Sequence, residues 1–174
     1  PLQVGSIQLK NRIVLEPMGI HSHRLVNADG SFTEDGIAYY ETIAKGGTGL
    51  IITSAMPVNS AFDLSKGSKA AMDLAGEEFI ENTKKLTERL HRYGAKIFMQ
   101  LSAGAGRVQP RFIADGEPVA PSDGLPNFWN PSITHRALTR EEIEQCIRCF
   151  GEAARKAKEG GVDGVEIHAV HEGY

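Results

Sequence analysis

The sequence predicts a parallel α/β sheet. Four short apolar runs alternate with three helix patterns in the order β-α-β-α-β-α-β. That order is how parallel strands are joined, because each return to the start of the next strand needs a crossover, usually a helix. The first three runs are near-continuously apolar, as in strands covered on both faces. The turns into the strands are short and the loops out of them are long, so the surplus chain gathers at one end of the sheet.

Each element has a local reason. Residues 2–9 form a candidate hairpin, with Val4-Gly5-Ser6 as its turn signal. The first buried run is 12–16 (RIVLE). Ser31-Phe32-Thr33-Glu34 has capping-box spacing and predicts a helix through Tyr40 to Lys45. The second run is 48–54 (TGLIITS). Glu77, Glu78 and Glu81 open a second helix that closes on Lys84, Lys85, Arg89 and Arg92, charges that oppose the helix dipole at each end. The third run is 96–101 (KIFMQL). Thr139-Arg140-Glu141-Glu142 is another capping box, and its helix runs to about Glu159. Ile143, Ile147, Phe150, Ala154 and Ala157 make its apolar face at steps of three and four. The fourth run is 164–168 (GVEIH). Each helix stops at glycine: Gly46-Gly47, Gly94 and Gly160-Gly161.

The long loops, 17–30, 55–76 and 102–138, follow strands. In α/β folds a ligand sits at the carboxyl ends of the strands, so these loops mark the functional end. Four strands are half of a (β/α)8 barrel, which needs about 250 residues. The expectation is an N-terminal half-barrel over residues 1–174; a complete four-stranded open sheet is the alternative.

Composition narrows the function. A chain of 174 residues, 41% apolar and 24% charged, holds one well-cored domain. A net charge of −3 shows no basic excess, so neither nucleic acid nor a membrane surface is an expected partner. No apolar run approaches the roughly 20 residues of a membrane span, and no signal-peptide pattern stands at the start. Two cysteines make no disulfide framework. A cytoplasmic enzyme, or part of one, is the expected class.

Several groups could carry chemistry. His168 and His171 follow the fourth strand, with Glu172 and Tyr174 beyond, a set able to bind a carbonyl and supply a proton. His21 and His23 have the spacing of a zinc site that His168 or His171 could complete. Gln100 is an amide within an apolar strand, which either pairs with neighbouring backbone or reads the edge of a heterocycle. Residues 102–107 are glycine-rich, but Gln109 and Pro110 stand where a dinucleotide fingerprint needs glycine and a helix start. Cys146 and Cys149 lie mid-helix, as packing cysteines do.

Taken together, the chain resembles the Old Yellow Enzyme family of flavin-dependent ene-reductases. Its nearest likeness is to the 2,4-dienoyl-CoA reductase, 2-enoate reductase and bile-acid-inducible NADH:flavin oxidoreductase branch. The likeness covers essentially the whole chain. It rests on Leu9-Lys-Asn-Arg12 leading into 13–18 (IVLEPM), on 49–53 (GLIIT), and on Gln100-Leu101 followed by Gly106-Arg107. Ala120-Pro121-Ser122 and 163–168 (DGVEIH) followed by Glu172-Gly-Tyr174 complete it.

The resemblance implies a (β/α)8 TIM barrel binding FMN. Pro17, Met18 and Gly19 would lie along the isoalloxazine, Ala55 would approach it from the second strand, and Gln100 would bond its pyrimidine edge. His168 and His171 would grip the carbonyl oxygen of an unsaturated substrate and Tyr174 would donate the proton. NADH or NADPH would be the reductant, with FAD and an iron–sulfur cluster in further C-terminal regions. Two departures stand out: Gly19 replaces the threonine or cysteine of many members, and Glu172 puts the tyrosine three residues after the second histidine instead of two. A metal-dependent hydrolase using His21, His23 and His168, and an inactive fragment or binding module, are the rival expectations. The exposed apolar flanks of a half-barrel would favour association, so a homo-oligomer is expected.

Overall fold

The computed structural model describes residues 1–19, 24–27, 30–61, 72, 76–104, 106–108 and 118–171. Its sheet is parallel throughout and runs β3 (Val14–Leu15), β4 (Leu50–Ile52), β6 (Lys96–Ser102), β9 (Gly164–Ile167), with β5 (Met56–Pro57) continuing along the β4 edge of β6. The order matches the four predicted runs. Ahead of it, β1 (Leu2–Val4) and β2 (Ile7–Leu9) make the expected antiparallel hairpin, turning at Gly5 and Ser6. A two-stranded ribbon, β7 (Val119–Ala120) and β8 (Arg136–Ala137), lies in the third long loop.

The sheet has two faces with different contents. Ile51, Ile97, Met99 and Leu101 point to the helix side and pack on α1 (Glu34–Lys45), α2 (Glu77–His91) and α3 (Arg140–Glu159). On the opposite, concave side, Leu50, Ile52 and Phe98 meet Val14 and the hairpin's Ile7 and Leu9. Period-two alternation along each strand divides them. Gly49 permits β3 to come close: a Cβ there would fall 2.5 Å from the Asn11 Oδ1. Asn11 uses that room to donate to Gly47 C=O at 2.8 Å and accept from Ile13 N–H at 3.0 Å, tying β3 to the turn before β4.

Helix starts were partly legible. Thr139 closes the predicted capping box with Glu142, and Arg136 holds the same carboxylate through bonds of 2.7 and 2.6 Å. Those bonds, with the Thr139 N–H, hold the Glu142 carboxyl down at about 2. The cap of α1 is Thr33, not Ser31. Thr33 Oγ1 accepts from Gly36 N–H at 3.0 Å, whereas the Ser31 hydroxyl accepts from Asn27 Nδ2 at 2.9 Å. The apolar face predicted for α3 is also displaced. Cys146, Ala153, Lys156 and Ala157 are buried, while Ile143 and Ile147 are 45% and 65% exposed. Helical periodicity marks an apolar stripe without saying which part of it the sheet reaches, and here the sheet covers its C-terminal half and the flank bearing Cys146.

One irregularity shapes the functional end. Ile52 pairs with Phe98, but Met56 pairs with Leu101, so four residues of one strand span three of the other. This is a bulge at residues 53–55. Thr53 holds it, its N–H donating to Phe98 C=O at 3.0 Å and its Oγ1 accepting from Gln100 N–H at 3.2 Å. Ser54 N–H leaves the ladder and donates to the Tyr40 hydroxyl of α1 at 3.1 Å. Past the bulge the alternation is reset: Met56 and Val58 join the helix-side core, which turns Ala55 toward the concave face.

At the other end of the sheet, Asp163 gathers three elements. Its carboxylate accepts from His91 at the end of α2 (2.7 Å), from Lys96 at the start of β6 (2.7 Å) and from Ile97 N–H (3.0 Å). Burial would raise this carboxyl, but the three donors overrule it and hold it at about 2.

Candidate active site

The carboxyl ends of four adjacent strands converge on the concave face. Pro17, Met18 and Gly19 follow β3; Pro17 is half-buried, while Met18 is 56% exposed and Gly19 open to solvent. Ala55, half-buried, sits in the bulge of the next strand. Gln100 is on β6, and His168 and His171 follow β9. The sequence-predicted positions are therefore brought to one end, in strand order, as far as the structure describes them. Tyr174, Glu172, His21 and His23 lie outside the described residues.

Gln100 is the most constrained of these groups. Met99 and Leu101 on either side point into the helix-side core, so its amide must face the concave side. It is only 6% exposed. Its backbone N–H is taken by Thr53, and its Nε2 donates to Glu166 of β9 at 2.5 Å. Gln100 and Glu166 are register partners across the parallel pair, which puts their side chains on the same face. The expected pairing with neighbouring backbone is not what the side chain does. It pairs with a side chain across the ladder, and among the described residues its Oε1 and second N–H remain without a partner.

Two residues beyond Glu166 the chain leaves the sheet. His168 N–H donates to Leu101 C=O at 2.8 Å, so its ring is anchored as a direct continuation of β9. The ring of His171 stands 5.4 Å from it, centroid to centroid, tilted by 40°. His171 is the one non-glycine residue with positive φ (59°) among the described residues. Such a backbone costs about 1 kcal/mol or more and persists where the surroundings impose it. Here it turns the second imidazole back toward the first. The pair can donate two hydrogen bonds to one oxygen atom.

The cysteine pair belongs elsewhere. Burial, with Cys149 beside it, pushes the Cys146 thiol up to about 11, and Asn59 Nδ2 lies 3.6 Å from the Cys149 sulfur. Neither is in a disulfide. They pack α3 against the loop after β5, as expected.

Two residues of the site escaped the sequence-based expectations. Glu166 could have been found from its place: a carboxylate inside an apolar strand, two residues before His168 and hence on the same face. Thr53 had no such signal, because the run around it reads as an unbroken strand.

The model of the NADH:flavin oxidoreductase / NADH oxidase family matches residues 1–174. The chain belongs to this family. Within the NADH:flavin oxidoreductases, cinnamate reductase of Clostridium sporogenes is 47% identical over 175 residues, covering 100% of this chain and 26% of that protein. NADPH dehydrogenase of Listeria monocytogenes is 40% identical over 169 residues, covering 97% of this chain and 47% of the relative. Old Yellow Enzyme from Pichia sp. superposes with a TM-score of 0.76 at 28% identity, over 99% of this chain and 46% of its own. The chain thus spans between a quarter and a half of the relatives it matches. The fold is that of the Old Yellow Enzyme TIM barrels, of which these strands correspond to about half.

Proposed function

We propose that residues 1–174 are the N-terminal half of an FMN-binding (β/α)8 domain in an ene-reductase. Hydride would pass from NADH or NADPH, by way of FMN, to the C=C bond of an enoate, enone or enoyl thioester. Gln100 carries this reading. A buried amide that offers an acceptor and a donor side by side on the concave face matches the alternating C=O and N–H edge of a flavin pyrimidine. Pro17, Met18 and Gly19 after β3 and the small Ala55 beyond β4 would lie along the flat ring.

FMN, when bound, would supply the hydride-transfer chemistry of the alkene reduction. The chain's own residues do the rest. Gln100 binds and orients the ring. His168 and His171 donate to the carbonyl oxygen of the substrate and stabilise the negative charge that grows there as hydride arrives. Tyr174 gives its proton to the α-carbon. The 47% identity to a cinnamate reductase favours an α,β-unsaturated carboxylate as the substrate. A small unsaturated carbonyl compound is the partner this reading implies. Among the described residues no helix is long and apolar enough to cross a membrane. Any iron–sulfur cluster or FAD would be held by other regions, since two cysteines fall short of a cluster's four.

The test is a visible spectrum and metal analysis of the full-length protein, followed by anaerobic alkene reduction with NADH and NADPH. Bound FMN is expected, with Tyr174→Phe keeping the flavin and losing most alkene reduction. A colourless protein with stoichiometric zinc would overturn the proposal, and full activity in Tyr174→Phe would remove that residue's role.

A further inference from the structure

Glu166 lies in the middle of β9, on the concave face, with its carboxylate 2.5 Å from Gln100 Nε2. A glutamine amide is nearly symmetric in shape, and its two flips exchange donor for acceptor. An ionised carboxylate only accepts. It therefore admits one flip: the NH2 group toward Glu166, the Oε1 away from it. The backbone cannot make that choice, because the Gln100 N–H is already committed to Thr53 and the β6–β9 ladder fixes only which face the side chain takes.

We infer that Glu166 is a positioning residue for the flavin: it locks the amide of Gln100 in the orientation that presents Oε1 and one N–H to the ring. The inference rests on the FMN reading above. A second effect follows from charge. Reduced flavin gains negative charge at its pyrimidine end, and a carboxylate one residue away opposes it in a site of low effective dielectric. Glu166 thus lowers the flavin's reduction potential while it sharpens binding. The two effects separate by substitution. Glu166→Gln keeps the shape, loses the charge and makes both flips of Gln100 acceptable. Glu166→Asp keeps the charge and falls about one methylene short of the amide.

The experiment uses the full-length protein stripped of flavin, with FMN as the probe. FMN is titrated by fluorescence quenching, and the reconstituted forms are equilibrated with redox dyes to obtain midpoint potentials. Glu166→Gln is expected to bind FMN about tenfold more weakly, the order of one charge-assisted hydrogen bond, and to show a more positive potential. Glu166→Asp is expected to lose affinity similarly while its potential stays near that of the parent. Melting curves of the apoproteins establish that each variant is folded, and the aspartate variant carries the test if the glutamine variant is not. Affinity within twofold of the parent and an unchanged potential in both variants would overturn the inference and leave the FMN reading intact. A folded parent protein that takes up no FMN would overturn the FMN reading, and this inference with it.

Discussion

Asn82 of α2 holds the backbone of Phe32 on both sides, its Oδ1 accepting from the Phe32 N–H at 2.8 Å and its Nδ2 donating to the Phe32 C=O at 2.8 Å. One side-chain amide thus does for an irregular segment what a neighbouring strand does for a ladder. The Phe32 ring, 1% exposed, then meets Tyr40 edge-to-face at 5.8 Å, and Tyr40 supports the bulge through Ser54. A line of contacts runs from α2 through α1 to Ala55. Asn82→Ala leaves both Phe32 groups without this partner. The expected loss is about 2 kcal/mol, measured by urea denaturation, and an unchanged midpoint would show that solvent replaces the clamp.

Tyr40→Phe tests the next link. Tyr40 is 1% exposed, and burial raises its phenol above the ordinary value, so the hydroxyl stays protonated beside Ser54 N–H. Removing it strands a buried N–H, which costs about 1–2 kcal/mol. Amide exchange of Ser54 should quicken more than that of Ile51, which the regular ladder protects. Equal protection at both would mean that the bulge does not depend on α1.

Asp163 sets an acid limit. Its carboxyl is held at about 2 against an ordinary 3.8. A depressed carboxylate contributes stability that is present above the unfolded value and lost as pH falls through the folded one. Stability should therefore decline from about pH 4 toward about pH 2 as this group protonates, on the order of 2 kcal/mol. Asp163→Asn should be less stable at neutral pH and flatter across that window. A parent-like slope in Asp163→Asn, followed by thermal melts at stepped pH, would assign the acid loss to other carboxylates.

Gly164 gives the most local of the predictions. A Cβ there would meet the Phe98 ring at 2.6 Å. Phe98 lines the concave face next to Gln100, so the ring has to shift along that face. Gly164→Ala should cost about 1–3 kcal/mol and disturb the concave side, seen as lower melting temperature together with, on the proposed function, weaker FMN binding in the full-length protein. Loss of stability with full FMN affinity would confine the role of Gly164 to packing.

The order of strands and the ends of α1 and α3 were legible because each rests on local chemistry: apolar runs, the Thr139 and Glu142 box, and the glycines after α1 and α3. The Ser31 pattern misled because Ser31 has the capping-box spacing to Glu34 while Thr33, with Gly36 three residues on, lacks it, and the fold decides which hydroxyl meets a free N–H. Ile143 and Ile147 misled because a periodic stripe does not report its own cover. At the site, His168 and Gln100 could be placed from strand ends alone. The Gln100–Glu166 bond could not, since it depends on a register between segments 66 residues apart. The bulge was invisible for a related reason. Nothing in 48–54 announces that the partner strand will count one residue fewer.

That miscount has a consequence for how chain length can vary here. Between Ile52 and Met56 the strand holds one surplus residue, with Ser54 N–H bonded to Tyr40 rather than to the ladder, and Met56 faces the helix side beside its partner Leu101. Deletion of a single residue in this stretch would remove the surplus and leave three steps opposite three, with Met56 still paired to Leu101 on the helix side. Removal of two would leave two steps opposite three and carry Met56 to the concave side with Ile52. Loss of one residue at 53–55 should therefore be tolerated better than loss of two, a rule set by counting rather than by the chemistry of the residues lost.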